Sequence, residues 1–139
     1  IGAGKLGLPG QALLAFALGC DGVNVGREAM LAIGCIQAQR CHTDHCPTGV
    51  TTHSKWRQRG LDPTDKSVRC ANYVAQLRRE ILRLSRACGV VHPAFITTEQ
   101  LEILDDRFGS QLARDVFGYQ PGWGRPSDAD RDAVAELMP

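Results

Sequence analysis

The sequence predicts an α/β fold, namely the C-terminal end of a (β/α)8 TIM barrel, its strands 7 and 8 with the helices that follow, continued by a mostly helical tail. Three features favour this fold: a glycine-rich loop near the start, a second glycine that ends a short β-branched segment, and a long helix further on. The loops after strands 7 and 8 of such a barrel form a phosphate site at its C-terminal face. Tight turns in another α/β fold would leave the same glycines, so the glycines alone keep that alternative open.

The first strand-loop-helix unit occupies the opening residues. The stretch "IGAGKLG" has the pattern of a strand end that runs into a glycine loop. Because no initiator Met precedes it, we expect the chain to be the C-terminal part of a larger protein. Pro9 suits the first turn of a helix and Gly19 suits the residue just past a helix end, which together predict an apolar helix over "PGQALLAFALG".

The second unit follows directly. The segment "DGVNVG" is short and β-branched, which predicts a buried strand that stops at Gly26. A second helix, "REAMLAIGCI", is then expected to start at Arg27 and to continue to Cys35 and beyond. Ten helical residues at ~1.5 Å each would place a phosphate site at the start of this helix and a ligand site at its end about 15 Å apart along its axis.

The remainder of the chain predicts helices and turns. A long helix is expected from Pro63 to Ala87, and its apolar stripe recurs at steps of three and four residues. The stripe of this long helix consists of Val74, Leu77, Ile81, Leu84 and Cys88. Thr97 and Gln100 have the spacing of a capping box and predict a short helix over "TTEQLEIL", while Ser127 is suited to begin a last helix. We divide the chain into a barrel end at 1–50, a helical extension at 51–106 and a Pro- and Gly-rich tail at 107–139.

Composition limits the kinds of partner. The 139 residues carry 16 Lys+Arg against 15 Asp+Glu, a net charge of +1, which gives no field to recruit nucleic acid or an anionic membrane. No apolar run approaches the roughly 18 to 20 residues that span a bilayer. Six cysteines are too few and too uneven for a disulfide scaffold, which favours a reducing compartment and a cytoplasmic protein. Three of them, Cys20, Cys70 and Cys88, are expected to be small buried hydrophobic residues.

The glycine loop predicts an anion site. Backbone without Cβ atoms turns sharply and presents N–H groups to an anion, and the helix behind it adds its dipole. Gly2, Gly4 and Gly7 follow the Gly-x-Gly-x-x-Gly count of dinucleotide sites. No acidic residue closes the next strand to hold a ribose, since Asp21 lies at the wrong end of it. The loop therefore favours a phosphate over a dinucleotide.

The stretch "CIQAQRCHTDHCPTG" places three cysteines on one loop, at a spacing of Cys-x5-Cys-x4-Cys followed by Pro47. An iron–sulfur cluster that lacks one iron needs only three thiolates, and a proline after the last ligand is typical of bacterial ferredoxin loops. A zinc site is the alternative, with a histidine as its fourth ligand, although zinc loops usually pair cysteines more closely. The candidate fourth ligands are His42, His45 and His53.

The residues from Ile1 to Val50 resemble, without a gap, the end of the FMN-binding barrel of glutamate synthase and of the shorter glutamate synthase-like proteins. The resemblance continues more loosely through "RGLDPT" and "HPAFITTEQLEIL" to about Leu104. Its most specific part is the cysteine loop that follows a glycine-ended strand. In that family the three cysteines ligate a [3Fe-4S] cluster.

The resemblance implies an enzymatic reaction, the reductive amination of 2-oxoglutarate to glutamate with glutamine-derived ammonia and a hydride from FMN. The implied electron donor is ferredoxin or a subunit that oxidises NAD(P)H, and the cluster passes its electrons to the flavin. No nucleic acid or membrane partner is implied. The two rival interpretations are a zinc-stabilised interaction module and an FMN- or phosphate-binding barrel of other chemistry.

The resemblance also implies the site residues. Cys35, Cys41 and Cys46 would hold the cluster. The FMN phosphate would be bound by Ala3 and Gly4 together with Gly26 and Arg27. The catalytic residues are not identified, because no glutaminase nucleophile and no strands 1 to 6 are found in this sequence, and we expect no turnover from this chain alone.

Overall fold

The computed structural model describes residues 1–107 and 109–138. Its helices are α1 (Pro9–Ala17), α2 (Arg27–Ala32), α3 (Lys55–Gln58), α4 (Pro63–Ala87), α5 (Ala113–Phe117) and α6 (Asp128–Glu136). Short 3-10 helices lie at Cys41–Thr43, Pro93–Phe95 and Thr98–Gln100. An antiparallel pair of strands, β1 (Glu102–Asp105) and β2 (Gly109–Leu112), pairs Glu102 with Leu112 and Ile103 with Gln111.

The two predicted strand ends lie side by side. Gly2 and Val23 form an isolated parallel bridge, in which the Gly2 N–H donates to the Gly22 carbonyl and the Asn24 N–H donates to the Gly2 carbonyl, both at 2.8 Å. Helix α1 connects the two bridged segments. Parallel neighbours joined by a helix are what a β/α unit requires locally. The bridge is limited to this one pair, and the complete barrel stays a prediction.

The core lies between α1 and α4. Helix α1 buries Ala12, Leu13 and Ala17 against Ile81 of α4 and against Ile96 in the segment that follows α4. The apolar sequence of α1 explains this position, because a helix that is apolar on several sides must be covered on several sides. Both helices begin as predicted, with Pro9 and Pro63 in their first turns.

Helix α4 is stabilised at its start and in its interior by polar side chains. The Asp62 carboxylate caps it by accepting from the Thr64 N–H at 2.9 Å. Ser85 is fully buried in the last turns, and its hydroxyl donates to the Ile81 carbonyl at 2.9 Å. The Tyr73 hydroxyl donates to the Gly7 carbonyl at 2.7 Å and so attaches the glycine loop to the middle of α4. Helix α4 therefore supports both the core and the loop.

Helix α2 is shorter than the sequence predicted. It ends at Ala32, and the backbone of Gly34 has a φ of 106°, a conformation that cannot continue a helix and that glycine adopts readily. The prediction of a helix over 27–36 was therefore wrong at its C-terminal end. Six helical residues span roughly 9 Å, so α2 is shorter than the predicted helix of about 15 Å.

The apolar stripe of α4 is only partly covered. Ile81 is 8% exposed, whereas Val74 is 55% exposed and Leu84 is also exposed. The prediction that three isolated cysteines are buried was wrong for Cys88, which is exposed at the end of α4, while Cys20 and Cys70 are half-buried. A cysteine at the C-terminal end of a stripe lies where the helix leaves its partner, so periodicity alone overestimates its burial.

The segment after α4 differs from the predicted short helix. The capping box is confirmed, because the Thr97 hydroxyl accepts from the Glu99 N–H and the Gln100 side chain accepts from the Thr97 N–H. The helix that it begins stops after one 3-10 turn, and the chain continues as β1. The chain is extended here because β1 pairs with β2. This pairing crosses the boundary that we predicted between the helical extension and the tail, at 106/107.

The tail folds back on the rest of the chain. Tyr119 donates to the Leu18 carbonyl at 2.9 Å, and Trp123 packs edge-on against the Tyr119 ring while remaining 60% exposed. Tyr119 thus anchors the tail to the end of α1. Helix α6 begins where it was predicted, with the Ser127 hydroxyl accepting from the Asp130 N–H. Within the described residues, every helix is too short or too polar to cross a bilayer.

The contact between α1 and α4 predicts unequal effects of two truncations on one helix. Ile81→Ala removes a buried side chain and is expected to lower the free energy of unfolding by about 2 to 4 kcal/mol. Val74→Ala, in the same stripe but mostly exposed, is the matched control and should cost less than about 1 kcal/mol. Urea denaturation of both variants measures the difference. Equal losses would contradict the described position of α4.

Candidate functional site

The candidate residues lie at the two ends of α2. Gly26 is the N-cap of this helix and Arg27 is its first residue, whereas Cys35 follows three residues after its last residue, Ala32. The glycine loop of residues 2–7 is placed beside the N-terminal end of α2 by the bridge between Gly2 and Val23. One short helix therefore connects the predicted phosphate loops to the predicted cluster loop.

The phosphate loops leave the same edge of the bridge, because the two segments before them run parallel. Ala3, Gly4, Gly26 and Arg27 are all exposed there. Gly4 has a φ of 117° and Lys5 a φ of 59°, so the backbone turns through two successive left-handed residues. A Cβ at Gly4 would meet no atom within 4 Å, so glycine is required there for conformation and not for space. Such turns expose backbone N–H groups, which are donors for an anion.

Gly7 fixes the glycine loop against the helices, a role that the sequence analysis missed. It is buried, and a Cβ there would lie 2.5 Å from the Cβ of Glu28 in α2. Its carbonyl accepts the hydrogen bond from Tyr73 of α4. The sequence pattern could have indicated this role, because Gly7 is the third glycine of a Gly-x-Gly-x-x-Gly pattern and the third glycine permits close packing of a helix.

The three cysteines of the loop differ in exposure. Cys35 is half-buried, Cys41 is exposed at the start of a 3-10 helix, and Cys46 is only 7% exposed. All of them carry free thiols. Within residues 1–107 and 109–138, no three His, Cys, Asp or Glu side chains converge on a point where a metal ion could be held. The structure thus places the three thiols on one loop without gathering them at one point.

The backbone of the cysteine loop is strained. Gln37, Gln39 and Asp44 have φ values of 54°, 54° and 61°, in the left-handed region that residues other than glycine seldom adopt. Each costs about 1 to 2 kcal/mol relative to a right-handed conformation. Strained residues of this kind cluster at binding sites, where surrounding contacts hold them in place.

Asp44 provides contacts that hold the loop. Its carbonyl accepts from the Thr52 hydroxyl at 2.8 Å and from the Arg57 guanidinium at 3.1 Å, and its carboxylate accepts from the His53 N–H at 2.5 Å. The His53 N–H also holds the pKa of the Asp44 carboxyl below its ordinary value. Asp44 is therefore ionised at neutral pH and ties the cysteine loop to the segment that leads into α3.

Cys46 has the most polar surroundings of the three candidate ligands. The Thr48 hydroxyl lies 3.4 Å from its sulfur, and the N–H of Thr51 also points toward it. Thr48, and after it Thr51, lower the pKa of the Cys46 thiol to about 6. At neutral pH this cysteine is mostly the thiolate, which is the form that binds metal.

The other loop residues contribute less to the site. Cys35 accepts from the Gln37 N–H at 3.4 Å, a second donor to a candidate ligand. The three histidines proposed as zinc ligands are exposed. His45 donates through Nδ1 to the Thr43 carbonyl at 2.5 Å, which leaves the lone pair on its Nε2.

The surroundings of Cys46 predict a pH-dependent absorbance in the metal-free protein. Its thiolate should appear as the pH rises through about 6, and Cys46→Ala should remove this step, whereas Cys88→Ala should keep it. Because the folded-state pKa is lowered, the stability that the thiolate contributes is present at high pH and is lost as the pH falls toward 6. Ultraviolet thiolate absorbance against pH measures the step, and its persistence in Cys46→Ala would contradict the assignment.

Comparison with known proteins gives the family. The family model described as conserved region in glutamate synthase matches residues 1–91. The chain is 39% identical over 99 residues to the glutamate synthase large subunit-like protein YerD of Bacillus subtilis, which covers 71% of the chain and 19% of that protein. It is 34% identical over 90 residues to the archaeal glutamate synthase (NADPH) of Methanocaldococcus jannaschii, covering 65% of the chain and 18% of that protein.

A third relative matches over a shorter segment. The ferredoxin-dependent glutamate synthase 2, chloroplastic, of Arabidopsis thaliana is 50% identical over 40 residues, which is 29% of the chain and 2% of that protein. No solved structure matches the chain significantly. The chain spans about a fifth of the length of the Bacillus and Methanocaldococcus proteins. With the family model covering most of its residues, the chain belongs to the glutamate synthase family.

Proposed function

We propose that this chain is the cofactor-binding C-terminal part of an oxidoreductase that uses FMN and a [3Fe-4S] cluster to make glutamate from 2-oxoglutarate and glutamine-derived ammonia. The observation that carries the proposal is the cysteine loop, where three thiols follow α2 and one of them, Cys46, is held as a thiolate. Membership of the glutamate synthase family supports the reaction.

The donor set of the loop fits an iron–sulfur cluster. Cys35, Cys41 and Cys46 supply three thiols, the number that a [3Fe-4S] cluster requires, and two of their sulfurs already have hydrogen-bond donors. Such a cluster supplies one-electron transfer when bound. Thr48 and Thr51 keep Cys46 deprotonated, while Asp44 holds the strained loop against the segment before α3. To hold a cluster, Cys35, Cys41 and Cys46 would have to approach one another, since the described residues do not gather three such ligands at one point.

The phosphate of FMN fits the loops at the other end of α2. The exposed backbone of Ala3 and Gly4 presents N–H groups, and Gly26 leaves open space in front of α2. Arg27 adds a guanidinium, which pairs with phosphate through two parallel hydrogen bonds. FMN supplies hydride transfer when bound. These residues would bind and orient the phosphate, and α2 would set its distance from the cysteine loop.

The parallel bridge between Gly2 and Val23 supports the placement of residues 1–50 at the end of a (β/α)8 barrel, with 51–106 as a helical extension and 107–139 as a tail. The names of the relatives support two kinds of electron donor, NADPH for the archaeal protein and ferredoxin for the plant protein. We propose ferredoxin or an NAD(P)H-oxidising subunit as the donor, the cytoplasm as the location, and neither nucleic acid nor membrane as a partner.

A zinc-stabilised interaction module is the second candidate function. The specific observation in its favour is His45, whose Nδ1 is fixed by the Thr43 carbonyl and whose Nε2 keeps a lone pair for a metal. Three cysteines and this histidine would complete a tetrahedral zinc site. The proposed cluster needs no histidine ligand. His45 would therefore be a ligand in the zinc site and not in the cluster site.

Replacing one ligand tests the proposed function. In the holoenzyme, Cys41→Ser should lose most of the bound iron and sulfide and the transfer of electrons from the donor to the flavin, while FMN stays bound. Cys88→Ser is the matched control, an exposed cysteine outside the loop, and should keep iron, sulfide and electron transfer. Metal analysis and the rate of flavin reduction measure both variants. Unchanged flavin reduction in Cys41→Ser would contradict the role of the loop in electron transfer. Zinc without sulfide in the wild-type protein, lost in both Cys41→Ser and His45→Ala, would favour the interaction module.

A further inference from the structure

The segment after Cys46 folds back over its sulfur. The Gly49 N–H donates to the Cys46 carbonyl at 3.4 Å, which closes a turn, and the Thr48 hydroxyl lies 3.4 Å from the sulfur within that turn. Gly49 has a φ of 79°, and a Cβ there would run into the Arg57 carbonyl. The turn is therefore fixed by a close approach of backbone, and it holds a hydroxyl next to the third cysteine.

Thr51 has a buried hydroxyl that no hydrogen bond satisfies. Among residues 1–107 and 109–138, its Oγ1 is the one buried side-chain oxygen or nitrogen without a partner. Thr51 follows Gly49, which closes the turn over Cys46, by two residues, and its hydroxyl makes no hydrogen bond to the Cys46 sulfur. Leaving a buried hydroxyl unsatisfied costs about 1 to 3 kcal/mol. A buried hydroxyl without a partner in a folded protein indicates that a bound group supplies the hydrogen-bond acceptor.

We propose that Thr48 and Thr51 are positioning residues that donate their hydroxyl hydrogens to sulfur at the Cys46 corner of the bound cluster and thereby raise its reduction potential, an inference that rests on the proposed function. A reduced cluster carries one more negative charge, which is shared by its sulfurs, so a donor hydrogen bond stabilises the reduced form more than the oxidised form. Donors beside a ligand are a known means of tuning a metal centre.

Neighbouring threonines have other partners, which makes the assignment specific. The Thr52 hydroxyl donates to the Asp44 carbonyl at 2.8 Å, and the Thr43 hydroxyl donates to the Arg40 carbonyl at 2.9 Å. Both therefore stabilise the backbone of the loop. In the described part of the chain, Thr48 is the loop threonine whose hydroxyl lies within hydrogen-bond distance of the Cys46 sulfur, and Thr51 is the one whose buried hydroxyl has no partner.

The test measures the reduction potential of the cluster in the holoenzyme. Thr48→Val and Thr51→Val replace each hydroxyl by a methyl group of similar shape, Thr51→Ser keeps the hydroxyl, and Thr64→Val, on the exposed first turn of α4, is the matched control. Potentiometric titration followed by low-temperature EPR gives the midpoint potential, and iron and sulfide analysis gives the cluster content of each variant.

Both valine variants should shift the midpoint to more negative potential with the cluster still bound, while Thr51→Ser and Thr64→Val should remain at the wild-type value. Midpoints of Thr48→Val and Thr51→Val equal to wild type would overturn the inference. Should Thr51→Val lose its cluster, the midpoint of Thr48→Val alone decides, because the Thr48 hydroxyl is the one that already lies 3.4 Å from the Cys46 sulfur. Failure of the proposed function is a separate result, namely absence of a cluster from the wild-type protein.

Discussion

The packing of α1 on α4 is the contact on which the rest of the structure depends. Ile81 and Ser85 in the last turns of α4 face the core with the buried alanines of α1, and these contacts fix the direction of α4. At its middle, Tyr73 binds the glycine loop through the Gly7 carbonyl. Near its start, Lys66 approaches Gly34, where the chain leaves α2 for the cysteine loop. One helix of 25 residues thus supports both candidate cofactor loops.

Helix starts were predictable from the sequence, whereas several helix ends were not. Pro9 and Pro63 mark starts through their fixed φ, a local property that needs no partner. Helix α2 ended early because Gly34 adopts a left-handed conformation, and a glycine between two apolar residues does not reveal whether it will do so. The strand β1 depended on pairing with β2, a contact that lies outside its own short sequence.

The sequence indicates the candidate ligands by residue type and spacing, because three cysteines on a short loop have few explanations, and their binding of a metal stays a prediction. The structure added their surroundings. The turn at Gly49 places Thr48 next to the Cys46 sulfur, and contacts with the segment before α3 hold Asp44. These positions depend on how the chain folds back on itself after Cys46. Neither spacing nor composition indicates which of many threonines faces a sulfur.

We propose that the loop from Cys35 to Cys46 holds an iron–sulfur cluster. The measurement that decides this is the content of iron, acid-labile sulfide and zinc in the anaerobically purified holoenzyme, together with its low-temperature EPR spectrum. We expect iron and sulfide in the ratio of the [3Fe-4S] formula and a signal in the oxidised state that disappears on reduction. Zinc without sulfide, or no metal at this loop, would contradict it.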